Sequence, residues 1–130
     1  TVEDGMDAAG HDVVIFVDAA TSGPAPLAFR AVAPAEAVSF SSHHVSPGSV
    51  LAVARDLFGA RTRAYVLAVR GYEFEAFCES LSPAAQANLG AAVAFLRRRL
   101  TRRDFDAATT GPAQADQTPC EDIPCKMEST

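Results

Sequence analysis

Residues 12–19 have the sequence DVVIFVDA, in which five consecutive apolar residues are followed by Asp18. A short, continuous run rich in β-branched and aromatic residues is typical of a strand that is buried on both faces of a parallel sheet. Ligands of such sheets gather at the carboxyl ends of the strands. The stretch therefore predicts a central strand of an α/β domain, with Asp18 at the edge of the sheet where a site would form.

Two more strands and two helices are predicted after this strand. Residues 21–26 form a turn segment, and the apolar runs 27–33 and 64–69 are typical of strands. Both helices begin at a Ser-Pro pair, in which the serine suits the N-cap and the proline suits the first helical position. The first helix starts at Ser46-Pro47 and ends at Gly59, the second starts at Ser82-Pro83 and ends near Arg103, and residues 1–10 are the end of a helix or a loop.

The order strand, strand, helix, strand, helix predicts an α/β fold. Because a helix between two strands acts as a crossover, we expect three layers, in which a mostly parallel, twisted sheet has helices on both faces. A central strand usually has neighbours on both sides, and residues 1–10 hold no strand pattern. We therefore expect further elements of the domain to precede Thr1.

The chain of 130 residues has the composition of one folded domain, with 48% hydrophobic and 21% charged residues. Residues 1–103 carry ten basic and ten acidic residues, so the formal net charge of −5 lies wholly in residues 104–130. The second stretch has few large apolar residues and cannot bury enough surface to order itself. We expect an α/β domain at residues 1–103, followed by a disordered acidic tail at residues 104–130.

Charge and hydropathy bear on the partners and on the compartment. No basic stripe of the kind that binds nucleic acid is present, and no apolar run approaches the ~20 residues that span a bilayer, so we expect neither nucleic acid binding nor membrane insertion. An odd number of cysteines favours the reducing cytoplasm. Cys120 and Cys125 are either two tail thiols or a weak zinc site. One basic cluster is interpreted as a solvated helix end and comprises Arg97, Arg98, Arg99, Arg102 and Arg103.

Two groups of residues carry candidate chemistry. Asp18 is a metal ligand or a general base, or it caps the following turn through its own side chain. Residues 41–44, Ser-Ser-His-His, offer imidazole, a common ligand for nickel, zinc and copper, unless both histidines are merely solvated. Side chains of adjacent residues do not face the same point, so we expect only one of His43 and His44 to bind a metal.

The stretch after the third strand is less informative. Glu73 and Glu75 alternate with aromatic residues, so they are either paired acids on one face or part of a solvated or substrate-facing loop. Cys78 has no basic neighbour in the sequence that would activate a thiolate. The chain has no Gly-rich phosphate loop and no Gly-x-Ser-x-Gly motif, which argues against a nucleotide-binding or serine-hydrolase function.

Three blocks, in this order and spacing, resemble the nickel–iron hydrogenase maturation endopeptidases. The first is the apolar strand that ends in Asp-Ala at residues 13–19, and the second is the Ser-x-His loop before a helix at residues 41–47. The third is residues 70–83, where a Gly-x-x-x-Glu-like segment runs into a Leu-Ser-Pro helix start. The resemblance covers residues 10–100.

The resemblance implies a five-stranded α/β fold, of which this chain lacks the first strand and helix, and a cytoplasmic, aspartic-type endopeptidase. Such an enzyme removes the C-terminal extension of the hydrogenase large-subunit precursor after nickel insertion. It also implies that Asp18 and His43 recognise nickel supplied by the substrate, because His43 is the third residue of the Ser-x-His pattern. The third nickel-binding acid of the family lies in a loop after its first strand, so it has no counterpart here.

Two other functions stay open. One is a non-catalytic hydrogenase-assembly chaperone or binding domain on the same fold, which would hold a nickel-bearing partner without cleaving it. The other is an unrelated doubly wound hydrolase with a zinc site at Asp18 and His43. Metal preference distinguishes the zinc hydrolase from the endopeptidase and from the chaperone, because a tight zinc site would retain zinc in the purified protein.

Overall fold

The computed structural model describes residues 2–36, 45–75 and 79–106. They form an α/β domain of three strands and three helices, and the predicted strands and helices are all confirmed. The elements are α1 (Val2–Ala9), β1 (Val13–Ala20), β2 (Leu27–Val32), α2 (Pro47–Phe58), β3 (Arg63–Arg70) and α3 (Pro83–Arg102).

The sheet has the strand order β1-β3-β2 and is mixed. β1 runs parallel to β3, but β2 runs antiparallel to it, so the prediction of a mostly parallel sheet is wrong for β2. The reason lies in residues 21–26, because six residues are too few for the crossover that two parallel strands require. The chain instead turns back after β1, and β3 later enters between the two strands.

The central strand is β3, whereas the sequence predicted that β1 would be central and buried on both faces. Within the described residues β1 pairs with β3 alone. Its second half is open to solvent, and Val17 is 57% exposed. Residues 64–67 of β3 are buried, as expected for a strand with a neighbour on each side.

Alternate residues of β1 belong to two different hydrophobic clusters. Val13 and Ile15 pack in the cluster that includes Ala92 of α3, whereas Val14 and Phe16 pack in the cluster that includes Ala8 of α1. The second cluster also contains Val50 and Ala54 of α2. Because successive side chains of a strand point to opposite faces, α3 lies on one face of the sheet and α1 and α2 lie on the other.

The α3 face is held by stacked aromatic rings. The ring centroids of Phe29 and Tyr65 lie 5.1 Å apart, and Phe95 of α3 contacts Phe29 edge-on at 5.2 Å. The guanidinium of Arg99 lies 4.9 Å from the centroid of the Phe95 ring, close enough for a cation–π contact. Arg99 is thus part of this packing, and the four other arginines of the cluster are exposed, as predicted for a solvated helix end.

The helix boundaries follow from local capping. Ser46 and Ser82 are the N-caps of α2 and α3, and each accepts a hydrogen bond at Oγ from a backbone N–H three residues later, at 3.2 Å. Gly59 ends α2 with a φ of 64°, in the left-handed region that favours glycine. The Ser-Pro starts and the glycine stop are therefore confirmed.

Three residues of the predicted tail, 104–106, are described and contact the domain. Phe105 packs against the α3-face cluster, with its ring 6.0 Å from that of Tyr65. The Asp106 carboxylate accepts a hydrogen bond from the Tyr65 hydroxyl at 2.7 Å and pairs with Arg63 at 3.3 Å. The rest of the predicted tail, with Cys120 and Cys125, lies outside the described residues.

We expect two truncations of the chain to differ in stability. Ending the chain at Arg103 removes the Phe105 ring and the Asp106 acceptor, and should lower the free energy of unfolding by about 1–3 kcal/mol. Ending it at Asp106 keeps both contacts and should leave the melting temperature within about 2 °C of the full chain. Thermal melts of the three proteins test this, and equal melting temperatures for the two truncations would contradict it.

A second prediction concerns alkaline pH. Burial, and then the hydrogen bond to Asp106, raises the pKa of Tyr65. The folded state therefore favours the neutral phenol, and this stabilisation is complete below the unfolded pKa of about 10 and is lost as the pH rises above it. Between pH 8 and pH 11, the denaturant concentration at the midpoint of unfolding should fall more steeply for the parent protein than for Tyr65→Phe. The control Tyr72→Phe should fall as the parent does.

Candidate functional site

Asp18 lies close to the carboxyl end of β1, as predicted, but it does not end the strand. β1 continues to Ala20, and the Cα of Asp18 is in register with that of Ala68 in β3. The side chain is exposed, and Oδ1 accepts a hydrogen bond from the N–H of Ala19 at 2.8 Å. This local bond lies within the strand, so in the described residues Asp18 does not cap the turn at 21–26.

Asp18 is on the α1/α2 face of the sheet, because strand alternation gives it the same side as Val14 and Phe16. These two residues line an open hollow of about 420 Å³ on that face. Val45 and Val50 line the hollow from the α2 side, and polar residues of α1 and of the segment after it also line it. These polar residues are Asp4, Asp7 and His11.

His43 and His44 lie outside the described residues, and so do Ser41, Ser42 and Cys78. The chain becomes described again at Val45, which lines the hollow as Phe16 does. Glu73 and Glu75 follow β3, are both exposed and belong to no strand. Their exposure fits the interpretation as a solvated or substrate-facing loop.

No motif in the sequence marks Arg70 as a site residue, although it lies at the carboxyl end of the central strand. It is half-buried, and its Nη1 donates to the carbonyl of Gly23 in the turn between β1 and β2, at 3.2 Å. Its guanidinium carbon lies 5.2 Å from the centroid of the Tyr72 ring. A lone arginine at the end of an apolar run, followed by glycine, is the only signal the sequence carries for this residue.

Asn88 of α3 fixes the backbone around Arg70. The Nδ2 of Asn88 donates to the carbonyl of Arg70 at 3.0 Å and to the hydroxyl of Tyr72 at 3.2 Å. Asn88 is only 9% exposed and is the single buried polar residue in the part of the chain that the structure describes. Its amide therefore ties α3, the end of β3 and the ring beneath Arg70 into one unit.

The Nε of Arg70 is buried and has no hydrogen-bond partner among the described residues. Leaving a buried donor unpaired costs about 1–3 kcal/mol, more for a charged group, so native structures seldom tolerate it without reason. Alternation places Arg70 on the same face as Asp18, and the register separates the two Cα atoms by about 8 Å. No ion pair joins Asp18 to Arg70 in the described structure.

No group of three or more His, Cys, Asp or Glu side chains that could hold a metal ion occurs within residues 2–36, 45–75 and 79–106. Any site that includes His43 lies partly beyond those ranges. Across the same ranges, no helix combines the length and the apolar character needed to cross a membrane.

The described site has an exposed carboxylate at Asp18 and a half-buried guanidinium at Arg70, which packs on the Tyr72 ring. Both side chains lie at the carboxyl ends of two parallel strands, which is where open α/β sheets bind ligands. Comparison of the chain with protein-family models, with curated proteins and with solved structures finds no match.

Proposed function

We propose that the chain is the main part of an endopeptidase domain that removes the C-terminal extension of a nickel–iron hydrogenase large-subunit precursor. In this proposal Asp18 and His43 recognise the nickel that the substrate carries, and an acid from a segment preceding Thr1 completes the set. The reaction takes place in the cytoplasm. The proposal rests on the resemblance of the three sequence blocks and on the exposed position of the Asp18 carboxylate.

The position of Asp18 supports a role in binding. The side chain is exposed near the carboxyl end of a strand that is parallel to its neighbour, and Oδ2 makes no hydrogen bond to the described residues. A carboxylate with an uncommitted oxygen can bind a metal ion or accept a proton from water.

The path of the chain into α2 supports the pairing of Asp18 with His43. Val45 and Phe16 both line the hollow, and Phe16 is two residues before Asp18 on the same face of β1. Two residues of extended chain span at most about 7 Å, so the Cα of His43 is within that distance of the Cα of Val45. The described residue that follows the His43-His44 pair therefore lines the hollow on the face that carries Asp18.

The chemistry follows from these two groups. A carboxylate and an imidazole are both ligands of nickel, so together they add two protein ligands to an ion that the cysteines of the precursor already hold. Binding would place the peptide bond to be cleaved over the carboxyl ends of β1 and β3. Water attack then requires a base, for which Asp18 is the candidate, or a carbonyl polarised by the substrate's own metal.

We expect His43→Ala and Asp18→Asn to stop maturation of the hydrogenase. In cells whose only copy of the protein carries either change, the large subunit should accumulate with its C-terminal extension, as measured by its intact mass. Asp18→Asn should melt within about 2 °C of the parent, because substitution of an exposed side chain seldom changes stability by more than about 0.5 kcal/mol. We expect His43→Ala to leave the melting temperature nearly unchanged as well.

Two matched variants serve as controls. His44→Ala alters the adjacent imidazole, and Asp12→Asn alters an exposed carboxylate just before the other end of β1. Both should leave processing unchanged. Normal processing in His43→Ala and in Asp18→Asn would refute the proposal.

Incubation with purified precursor separates the protease from a chaperone on the same fold. Nickel-loaded precursor should be shortened by the native protein, and nickel-free precursor should stay intact. Stable capture of the loaded precursor without any shortening would instead identify the non-catalytic binding domain. Zinc retained in stoichiometric amount by the purified protein would favour an unrelated zinc hydrolase.

A further inference from the structure

The open hollow on the α1/α2 face is the place where the hydrophobic cluster of that face reaches the surface. Val14, Phe16 and Val50 belong to the cluster and also line the hollow. Val45 lines it as well, and 53% of the surface of Val45 is exposed. The volume of about 420 Å³ lies within the range of roughly 300–1,000 Å³ that is usual for ligand sites. Because the hollow is open, it suits a polypeptide segment that lies across it better than an enclosed small molecule.

Two carboxylates on one side of α1 give the hollow a negative charge. Asp4 and Asp7 both line it, and they are three residues apart, which makes them neighbours on the surface of the helix. The described residues that line the hollow include no lysine and no arginine, and their other ionisable member is His11. Asp7 forms no ion pair with any residue that the structure describes.

The stability of α1 explains the position of Asp4 but not that of Asp7. The helix dipole favours an acid in the first turn, which is where Asp4 lies. Asp7 lies in the last turn of this eight-residue helix, where the dipole disfavours a carboxylate. A cationic group bound in the hollow would give the Asp7 carboxylate a partner that the helix itself does not supply.

We propose that the hollow binds a segment of a polypeptide partner in which an arginine or a lysine adjoins a large apolar residue. The apolar side chain covers Val45 and Phe16, and the cation lies beside the carboxylates of Asp4 and Asp7. A neutral segment gains no attraction from these carboxylates, and an acidic segment is repelled by them. That the partner is a hydrogenase precursor rests on the proposed function, whereas binding of the segment itself does not.

The methyl signals of Val14, Val45 and Val50 in ¹H–¹³C spectra of the full chain report occupation of the hollow. Three acetylated tripeptide amides serve as probes, with a leucine at each end and arginine, neutral citrulline or glutamate in the middle. We expect the arginine tripeptide to shift these signals in a saturable way and the glutamate tripeptide to leave them unchanged. The citrulline tripeptide should bind about fivefold more weakly than the arginine tripeptide, since it keeps the shape and loses the charge.

Two pairs of variants separate the charge from the apolar contact. Asp7→Asn should weaken the arginine tripeptide and leave the citrulline tripeptide unchanged, and its control is Glu3→Gln, an exposed acid of α1 that does not line the hollow. Val45→Gln should weaken both tripeptides, and its control is Val2→Gln, an exposed valine outside the hollow. Both controls should bind as the parent does. All four side chains are exposed, so the variants should keep the fold.

The proposal is overturned if the arginine tripeptide shifts none of the three methyl signals, which is also the result expected if another part of the chain fills the hollow. It is overturned as well if the three tripeptides bind equally, or if Asp7→Asn and Glu3→Gln change the affinity by the same factor. These measurements need no nickel and no cleavage. Binding of the arginine tripeptide together with normal maturation in the Asp18 and His43 variants would therefore refute the protease and leave the binding hollow standing.

Discussion

The described structure depends on the pairing of β3 with a strand on each side. This one strand has a parallel ladder with β1 and an antiparallel ladder with β2, and its residues 64–67 are buried. The parallel register sets Asp18 beside Ala68 and thereby brings Arg70 onto the same face. A shift of one residue would turn one of these side chains to the opposite face, so the candidate site exists only in this register.

Elements with strong local signals were predictable from the sequence. The Ser-Pro starts of α2 and α3 were recognised because capping depends on residues that are close in the chain. The order of the strands was not, because pairing partners are chosen by tertiary packing. The reversal of β2, in contrast, follows from the six-residue turn at 21–26, a local signal that the expectation of a mostly parallel sheet overlooked. The apolar run of β1 suggested burial on both faces, yet Val17 is exposed, since the same pattern occurs at the end of a strand whose second face is open.

The candidate site was predictable in part for a related reason. Asp18 was identified because an acid that follows an apolar run marks a strand end, which is a local pattern. The position of the Arg70 guanidinium is set by contacts with Gly23 and Tyr72, and Tyr72 is in turn bonded to Asn88. These three residues belong to a turn, a loop and a helix. Such a network depends on tertiary structure, so the spacing of these residues in the sequence does not predict it. His43 remains a prediction, because it lies outside the described residues.

The contact between Asp106 and Tyr65 determines where a label can be attached without approaching the candidate site. It brings the chain back to the amino-terminal half of β3, where Arg63 also meets Asp106, whereas Asp18 is in register with Ala68 near the other end of that strand. Five residues of strand separate the positions of Arg63 and Ala68, a length of about 17 Å. A dye, an affinity tag or a surface linkage placed directly after Asp106 would thus be joined at the end of the sheet away from the candidate site, which makes that position suitable for immobilising the domain in binding work.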